Sequence, residues 1–375
     1  MIEVLSSAAE KGSGVLNDFI ALPYDVYKGI SQWTPPIKKG VYKMLVSRGS
    51  RLLKSGPYRL FVAYRNGKPL ARVMAGIDEE KNAQKGLDEG YFSLFESYDD
   101  IDAAKAVMRS AEEWMKERGV STWVGPVSPT NGDDGRGVML GGFETPSTIN
   151  TAYNPPFYKE LFEKMGYEKH LDFLAYDVPE DREKRVMRVA DWVSRHNKYD
   201  IRPINIKDPV GIAADVHKVY VGSMLAHWDH LSVPTLEQIR EEVDELVKFA
   251  DPDFAQFAYS KGEPVAFVVG LPDYNQVLRH FNGRLNVINM IRFLLLKKKI
   301  DTVRVFMQFS LPEHQKRGAI IACYIALYRN YKKKGYKRIE ASTVAEFNSD
   351  SIAAIESIGG VLKKRYRLYK PGQRL

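Results

Sequence analysis

The sequence has very little cysteine: Cys323 is the single one among 375 residues. An intramolecular disulfide is therefore excluded. Because Cys323 lies in an apolar helical stretch, we interpret it as a structural thiol and not a nucleophile. No segment has the roughly 20 consecutive apolar residues that cross a bilayer. The most apolar run, 285–296, carries Arg292, and we predict a buried helix there.

Targeting and metal-binding signals are also missing. The N-terminus has no basic start followed by an apolar run, so we expect a cytoplasmic protein without a membrane partner. His227 and His230 stand three residues apart with no third ligand in view, and the glycine-rich segment 125–146 lacks the Asp-x-Asp spacing of a calcium loop. We therefore expect no metal. Walker, dinucleotide-binding and Ser-His-Asp signatures are absent as well.

The composition is that of a soluble globular protein, with 44% apolar and 27% charged residues, and the length suits two domains. The net charge is +8, and its basic side chains crowd into one short part of the chain. These are Lys316, Arg317, Arg329, Lys332, Lys333, Lys334, Lys337 and Arg338. Such a patch can attract nucleic acid, anionic lipid or a phosphorylated cofactor. No nucleic-acid motif accompanies it, so we do not expect a nucleic-acid partner.

One order of predicted elements occurs twice. Segments 154–176 and 348–369 each have an N-capping Asn, an amphipathic helix, a glycine stop and an alternating strand. Each segment is preceded by a hairpin, a strand, a helix and a strand, and the hairpins turn at Asn66-Gly67 and Lys261-Gly262. The repeat predicts an α/β protein whose two halves have the same order of elements.

The predicted elements divide near a charged, proline-containing stretch at 177–184, which gives domains 1–178 and 179–375. The first half has predicted elements at 17–30 (helix), 59–75 (hairpin), 91–96 (strand), 101–118 (helix) and 121–127 (strand). The second half has them at 201–206 (strand), 211–227 and 236–249 (helices), 254–270 (hairpin), 302–309 (strand), 318–334 (helix) and 337–344 (strand).

This order, with Trp33-Thr-Pro-Pro36, Gly125-Pro126 and Tyr153-Asn-Pro-Pro156, resembles a bacterial family of two-domain GNAT-like proteins of the acyl-CoA N-acyltransferase superfamily. The resemblance implies two tandem GNAT domains, each a mixed sheet with helices on both faces. It also implies acetyl-CoA or another acyl-CoA as cosubstrate, with its pyrophosphate held at the N-terminus of the helix that follows the fourth strand.

GNAT proteins carry Arg/Gln-x-x-Gly-x-Gly/Ala at that helix, and the second half offers Gln315-Lys-Arg-Gly318 between a predicted strand and helix. Ile320 departs from the pattern, because Gly or Ala is expected there. A basic loop that only caps the helix is the alternative interpretation. The residues implied to bind the cofactor are Phe309, Ser310, Leu311, Gln315, Lys316, Arg317, Gly318 and Ala319.

The matching place in the first half, 95–102, has several carboxylates and no glycine. Carboxylates would repel a pyrophosphate, so we predict that the N-terminal domain does not bind CoA. In many GNAT enzymes a Tyr four residues before the last helix's glycine protonates the leaving thiolate. Ile355 and Phe162 occupy that position here. Tyr324 or Tyr328 are the predicted substitutes, with core packing as the alternative for each.

The glycine-rich segment 125–146 is long for a link inside a compact domain, and such loops are often functional. Asn131, Asp133, Asp134 and Arg136 could bind a polar or cationic acceptor, or the segment is a long ordered insertion. With Trp228 and Asp229, which follow a predicted helix, they form the predicted lining of a substrate cleft shared by both domains.

The sequence thus predicts an acyl-CoA-dependent N-acyltransferase, an N-acetyltransferase in the first place, that acts on a small-molecule or peptide amine. Two alternatives stay open. One is a Fem-like aminoacyltransferase that uses aminoacyl-tRNA, and the other is a non-catalytic binding protein that kept the fold. We expect a monomer or a homodimer.

Overall fold

The structure, a computed structural model, describes residues 1–131, 134–179, 182–196, 198–224 and 232–372. It contains two compact units, and neither is one continuous stretch of chain. The first unit comprises Met1–Asp172, Asn275–Lys297 and Lys364–Leu375, and the second unit comprises Phe173–Tyr274 and Lys298–Lys363. The domain division at residue 178 stays a prediction about the repeat in the sequence, whereas packing groups the chain into these segments.

The elements follow one another in the order that the repeat predicts, with several additions. Up to residue 178 they are β1 (Glu3–Ser7), α1 (Gly14–Val26), α2 (Lys38–Val46), α3 (Arg51–Lys54), β2 (Tyr58–Arg65), β3 (Lys68–Ile77), α4 (Glu79–Lys85), β4 (Glu89–Ser97), α5 (Ile101–Lys116), β5 (Thr122–Val127), β6 (Val138–Gly141), α6 (Tyr158–Lys164) and β7 (Tyr167–Val178). Beyond it they are α7 (Glu183–His196), β8 (Asp200–Pro203), α8 (Pro209–Ser223), α9 (Leu236–Leu246), β9 (Ala255–Ser260), β10 (Glu263–Pro272), α10 (Asn275–Leu278), α11 (Val287–Leu296), β11 (Thr302–Ser310), α12 (Ala319–Lys333), β12 (Arg338–Ala345), α13 (Ser349–Ser357) and β13 (Val361–Pro371).

In the first unit, β1 to β4 form an antiparallel sheet and β5 joins β4 in parallel. Helix α5 makes the crossover between β4 and β5, as a parallel pair requires. Its apolar stripe, which includes Val107, Ala111 and Trp114, packs into the core of this unit. The last part of β13 completes the sheet, with Tyr369 opposite Gly125 of β5.

The second unit repeats this arrangement. Strands β8 to β11 are antiparallel neighbours, and β12 joins β11 in parallel after the crossover helix α12. The last part of β7 pairs with the other edge of β12. Helices α7 and α12 share one core with the sheet, whereas α8 and α9 share another with Phe257 and Phe267. The prediction of mixed sheets with helices on both faces is thereby confirmed.

Both predicted hairpins turn where the sequence places them. Asn66 and Gly67 have φ of 52° and 74°, and Lys261 and Gly262 have φ of 53° and 86°. Two consecutive residues with positive φ define the turn type that matches the twist of a tight hairpin. The residues that flank the two turns are paired across the hairpins, Arg65 with Lys68 and Ser260 with Glu263.

The prediction of a buried helix at 285–296 was wrong. Helix α11 exists, but six of its apolar side chains are exposed, Phe293 and Leu296 are only partly buried, and Asn289 is its single buried residue. An apolar run predicts burial because burial is the usual way to remove such surface from water. Here the polar Asn289 faces inward instead. Within the described residues, no helix combines the length and hydropathy that crossing a bilayer would require.

Candidate functional site

Strands β11 and β12 run together over only part of their length. Their parallel pairing extends from Thr302 and Arg338 to Val305 and Ala341. On its other edge β12 pairs with β7 from Ile339, opposite Val178, to Ala345, opposite Phe173. The second part of β11 continues to pair with β10 on its other side. A gap therefore opens between the two parallel strands beyond Val305.

A bulge on β11 coincides with the start of this gap. Val269 of β10 lies opposite Met307, while the next residue, Gly270, lies opposite Val305. Phe306 is thus the extra residue on β11. A bulge re-aims the side chains that follow it and is common next to functional sites. Gln308, Phe309 and Ser310 follow this one.

A cavity of about 590 Å³ lies at the end of the gap, inside the second unit. This volume is within the range of ordinary ligand pockets, about 300–1,000 Å³. Its lining comes from β11, the loop to α12, the start of α12 and the start of α13. The lining residues are Trp192, Ser223, Gln308, Phe309, Ser310, His314, Gln315, Lys316, Gly318, Ala319, Ile320, Ile321, Phe347, Asn348, Ser349, Asp350, Ser351, Ala353 and Ala354.

Six of the eight predicted cofactor-binding residues line this cavity: Phe309, Ser310, Gln315, Lys316, Gly318 and Ala319. Leu311 is half-buried and Arg317 is exposed, and neither is part of the lining. The loop that the sequence pattern indicated therefore borders this cavity. Cofactor binding itself stays a prediction.

The N-terminus of α12 opens at the cavity. Gly318 is the N-cap residue with φ of 89°, a conformation that favours glycine, and the structure gives it no side-chain capping hydrogen bond. Ala319 begins a helix of 15 residues whose first turn has no acidic residue. Helix N-termini present unpaired N–H groups and a partial positive charge, which suit a phosphate. Ile320, the departure from the GNAT pattern, lies at the cavity wall.

The loop before α12 is held by its own polar contacts. The Gln315 amide donates to the Ser310 carbonyl oxygen over 3.2 Å. Lys316 also has a positive φ, 58°, and its ammonium group lies 3.3 Å from the Asp350 carboxylate across the cavity lining. The Lys316 side chain is 78% exposed, so its charge remains available to a ligand in solvent.

Tyr324 and Gln308 form a buried pair beside the cavity. The Tyr324 hydroxyl donates to Gln308 Oε1 over 2.7 Å. Burial raises the pKa of Tyr324 well above its ordinary value, so the hydroxyl stays protonated and acts as the donor. Gln308 Nε2 is buried and has no hydrogen-bond partner among the described residues. An unpartnered buried donor on a cavity-lining side chain is costly unless a ligand accepts from it.

Neither predicted catalytic tyrosine is part of the cavity lining. Tyr324 reaches the lining only through Gln308, and Tyr328 is buried in the core beside Tyr331, with ring centroids 5.3 Å apart. Ile355, at the position of the expected acid, is fully buried. Roles for Tyr324 and Tyr328 in catalysis stay predictions.

The corresponding place in the first unit is filled by protein groups. Asp100 caps α5 by accepting from the Ala103 N–H, and it also accepts from Arg65. On β4, the buried Glu96 accepts from the hydroxyls of Tyr27 and Tyr158 over 2.6 and 2.9 Å. Burial raises the pKa of Glu96 above its ordinary value.

The described residues of the glycine-rich segment, 125–131 and 134–146, are held by hydrogen bonds within the first unit. Asn131 Oδ1 accepts from the Asp134 N–H over 3.1 Å, the Arg136 side chain is buried, and the Gly137 N–H donates to the Pro126 carbonyl. Strand β6 then pairs with β13. Asp133, Trp228 and Asp229 lie outside the described residues, as do His227 and His230. The shared cleft and its acceptor-binding residues stay predictions.

Several cations of the basic patch have acidic partners. Lys334 contacts Asp251 and Asp253 within 2.7 Å, and Arg338 contacts Asp177 over 2.8 Å. These pairs lower the local charge that a polyanion would meet. Among the described residues, no group of three or more His, Cys, Asp or Glu is arranged to hold a metal ion.

Sequence reasoning did not anticipate Trp192, Gln308 and Ser351. Trp192 lies on α7, at the point where a Gly318 Cβ would be 3.5 Å from its ring. That helix follows the stretch we interpreted as a boundary, so its cavity contact had no signal in the sequence. Gln308 is a polar residue in an apolar strand, which was an available signal.

Comparison with known proteins places this geometry in a known fold. No protein-family model matches the chain. It is 27% identical over 371 residues to Protein YghO of Escherichia coli, covering 95% of this chain and 92% of that protein. It is 25% identical over 380 residues to the bacterial ceramide synthase of Caulobacter vibrioides, covering 98% and 97%. A tandem GNAT protein from the clavulanic acid biosynthesis pathway superposes with a TM-score of 0.57 at 11% identity, covering 99% and 98%. The chain therefore has the tandem GNAT fold.

Proposed function

We propose that the second unit binds an acyl-CoA and transfers its acyl group to an amine. The observation that carries this proposal is the cavity where β11 parts from β12 at the open N-terminus of α12. In the proposed complex the N–H groups after Gly318 hold the pyrophosphate, with Lys316 as an added positive charge. The acyl-bearing arm lies along the second part of β11, which lacks a partner strand on that side.

The chemistry requires little beyond positioning and one well-placed donor. The amine nitrogen attacks the thioester carbonyl carbon, the C–S bond breaks, CoA leaves as the thiolate and the new amide nitrogen loses a proton. The carbonyl oxygen gains negative charge on the way, so a fixed N–H donor stabilises the transition state. Gln308 Nε2 fits this role because Tyr324 holds the amide oxygen and leaves the nitrogen without a partner.

The relative whose name states a reaction supports one class of acceptor. A ceramide synthase makes an amide between a fatty acyl group and a long-chain amino alcohol, and the similarity spans 98% of this chain. Much of the cavity lining is apolar, including the side chains of Phe309, Ile320, Ile321, Phe347, Ala353 and Ala354. We therefore propose a long-chain amino alcohol as the first acceptor to test, with small amines and peptides as the second.

The test combines binding with turnover. Acetyl-CoA and palmitoyl-CoA are titrated by calorimetry, and CoA release is followed against long-chain amino alcohols, polyamines and peptides. We expect CoA-dependent binding and a rate that rises with pH as the acceptor amine deprotonates. Binding without turnover on any acceptor would favour the non-catalytic protein. Salt-sensitive tRNA binding without CoA binding would favour the aminoacyl-tRNA alternative.

The Gln308 role has its own test. Gln308→Leu removes the donor, and Tyr324→Phe removes the group that orients it. Loss of an oxyanion donor typically lowers kcat by about 10²–10³-fold. We expect that range for Gln308→Leu, a smaller loss for Tyr324→Phe, and little change in KM for either. Gln308→Asn is the conservative control. An unchanged kcat in Gln308→Leu would contradict the role.

A further inference from the structure

Helix α11 of the first unit leaves most of its apolar residues exposed, whereas Asn289 is buried and Phe293 and Leu296 are partly buried. Val287, Ile288 and Leu295 are 77%, 63% and 66% exposed, while Asn289 is 6% exposed. A further three apolar side chains are about half exposed: Met290, Ile291 and Leu294. A contiguous apolar surface of this kind on a soluble domain marks an interaction site. We call these six exposed apolar residues the α11 surface.

The exposure is built into the structure. Asn286 caps the helix by accepting from the Asn289 N–H over 2.9 Å. The Asn289 amide then donates to the Arg284 carbonyl over 2.7 Å. Before the helix, Gly283 has φ of 69° and packs on the Tyr24 ring, with no room there for a Cβ. These contacts fix which face points inward, so the apolar face is presented outward.

Cations flank α11 along the chain, and anions are absent from the same stretch of sequence. From residue 274 to residue 300 the chain has six Lys or Arg and no Asp or Glu. Arg284 and Lys297, both exposed, flank the two ends of α11, and Lys298 and Lys299 follow in the chain. Lys38, whose backbone N–H donates to the Gly283 carbonyl, adds a further cation beside the preceding turn. A binding partner that matches this surface would be apolar and negatively charged.

We infer that the α11 surface docks on an anionic lipid bilayer. A helix of 10 residues is about 15 Å long, half of the bilayer's apolar thickness, so it would lie in the interface and not cross. Aliphatic residues bordered by Lys and Arg are the composition of interfacial membrane helices. Protein interfaces are instead depleted in Lys, and their anchors are commonly Trp, Tyr and Arg. This inference replaces the sequence-based expectation of no membrane partner and does not depend on acyl transfer.

The first experiment measures vesicle binding by the full-length chain. Flotation is compared between vesicles of phosphatidylcholine alone and vesicles that also contain phosphatidylglycerol. We expect binding to the anionic vesicles that weakens as salt is raised. The double variant Ile288→Glu/Leu295→Glu should weaken it at least about tenfold, because two exposed apolar groups that would enter the bilayer become anions. Val210→Glu/Phe249→Glu, at residues 54% and 57% exposed in the second unit, is the control with the same charge change.

The outcomes separate a membrane from other occupants. Binding lost in the α11 variant and kept in the control supports the inference. No binding of the unaltered chain to anionic vesicles overturns it, as does equal binding by both double variants. A self-association that sedimentation detects and the α11 variant abolishes, without vesicle binding, would assign the surface to a second copy of the chain.

The second experiment reports depth at a chosen residue. The native Cys323 is buried, so a thiol-reactive, polarity-sensitive dye labels an introduced cysteine selectively. Val287→Cys should give a blue-shifted, brighter emission with anionic vesicles, whereas Val210→Cys should not change. Equal responses at both positions, or none at Val287→Cys, would contradict docking through α11.

Discussion

Each unit has a helix that begins at the same place in its order of elements, but the N-termini of these two helices are capped differently. In the first unit, α5 follows β4 and is capped by Asp100, which also pairs with Arg65, and Asp102 lies in its first turn. In the second unit, α12 follows β11 and begins at Gly318, which contributes no side chain. The backbone geometry is shared, so the difference lies in which group neutralises the helix end. A side chain does so in the first unit, whereas Gly318 gives the second unit's helix no side-chain cap.

The groove beside the helix differs in the same sense. A glycine follows each of the two helices: Gly166 follows α6, and Gly359 follows α13. Tyr158 of α6 and Ser351 of α13 each lie eight residues before that glycine. Tyr158 is buried, accepts from the Ser97 N–H and donates to Glu96, so it occupies the end of β4. Ser351 is small and lines the cavity. The two units thus share one order of elements but differ at this position, which we call the seat: Tyr158 fills it in the first unit, and in the second unit Ser351 leaves it open to the cavity.

The largest expected effect comes from making the open helix end resemble the closed one. Gly318→Asp places a carboxylate where Asp100 stands in the first unit. A like charge about 4 Å from a phosphate costs roughly 4 kcal/mol at the effective dielectric constant of a protein surface. We expect CoA affinity to fall at least about 100-fold by calorimetry.

A matched control separates charge from backbone strain. Gly335 follows the other end of α12, also has a positive φ (78°), and has open space where a Cβ would stand. Gly335→Asp should therefore keep CoA affinity while suffering a similar loss of folding stability. Equal losses of affinity in both variants would mean that the phosphate seat is elsewhere.

Filling the open seat is the second prediction. Ser351→Tyr copies Tyr158 into the cavity and leaves the charge unchanged. Inserting bulk into a packed site typically costs about 1–3 kcal/mol, so we expect CoA binding to weaken about 5–150-fold. Ser351→Ala is the control and should bind normally. Full affinity in the tyrosine variant, checked by calorimetry, would remove the cavity from the proposed binding path.

A smaller effect is expected from the loop's exposed cation. Lys316→Glu reverses a charge that solvent screens well, and exposed pairs are worth about 1 kcal/mol or less. We expect a roughly fivefold to tenfold weaker CoA affinity that converges on the unaltered value as salt is raised. Lys333→Glu, exposed at the far end of the same helix, should be neutral. A salt-independent loss would indicate a structural defect.

Much of this fold could be predicted because its signals are local. The turns at Asn66 and Lys261 depend on positive φ, and α5 and α12 on helical periodicity, which a single sequence displays. Packing against distant segments is not local. The assignment of 275–297 and 364–375 to the first unit depends on contacts such as Tyr369 with Gly125, which no window of sequence reports. Helix α7 was missed for a similar reason, since its charged start resembled a linker.

The candidate site was predictable to the same degree. The Gly318 loop could be recognised in the sequence because a glycine before a helix allows close approach of a phosphate to the backbone N–H groups, and this requirement gives a recognisable sequence pattern. The role proposed for Gln308 depends on its contact with Tyr324, sixteen residues away, whose hydroxyl orients the Gln308 amide. The sequence does not show this contact. The prediction that 285–296 is buried was wrong because hydropathy describes a residue's preference for an apolar environment. It does not report which residues the fold leaves exposed to solvent. An apolar run indicates a segment that favours apolar surroundings, but the sequence alone does not show whether protein or lipid provides them.

The smallest expected effect tests the closed helix end. Asp100→Ala removes the cap of α5 and should cost about 1 kcal/mol of unfolding free energy at pH 7. Because Asn caps as well as Asp, Asp100→Asn keeps the cap and removes only the charge that pairs with Arg65. We expect its loss to be below about 1 kcal/mol, because Arg65 is 40% exposed and solvent screens the pair although Asp100 is largely buried.

The pH dependence of that loss follows from the pKa of Asp100. Burial alone would raise this pKa, but the hydrogen bonds from the Ala103 N–H and Arg65 outweigh it, so the pKa is lowered. A lowered carboxyl pKa stabilises the fold above the unfolded value, about 3.9, and this contribution disappears as pH falls through the folded value. The difference between the unaltered chain and Asp100→Asn should therefore be constant from pH 7 to about 5 and shrink below pH 4. Urea unfolding at several pH values measures it, with CoA stoichiometry followed in parallel. We expect one CoA per chain in every variant, because Tyr158 still fills the first unit's seat. A second CoA in Asp100→Ala would show that the acidic cap alone had kept that seat closed.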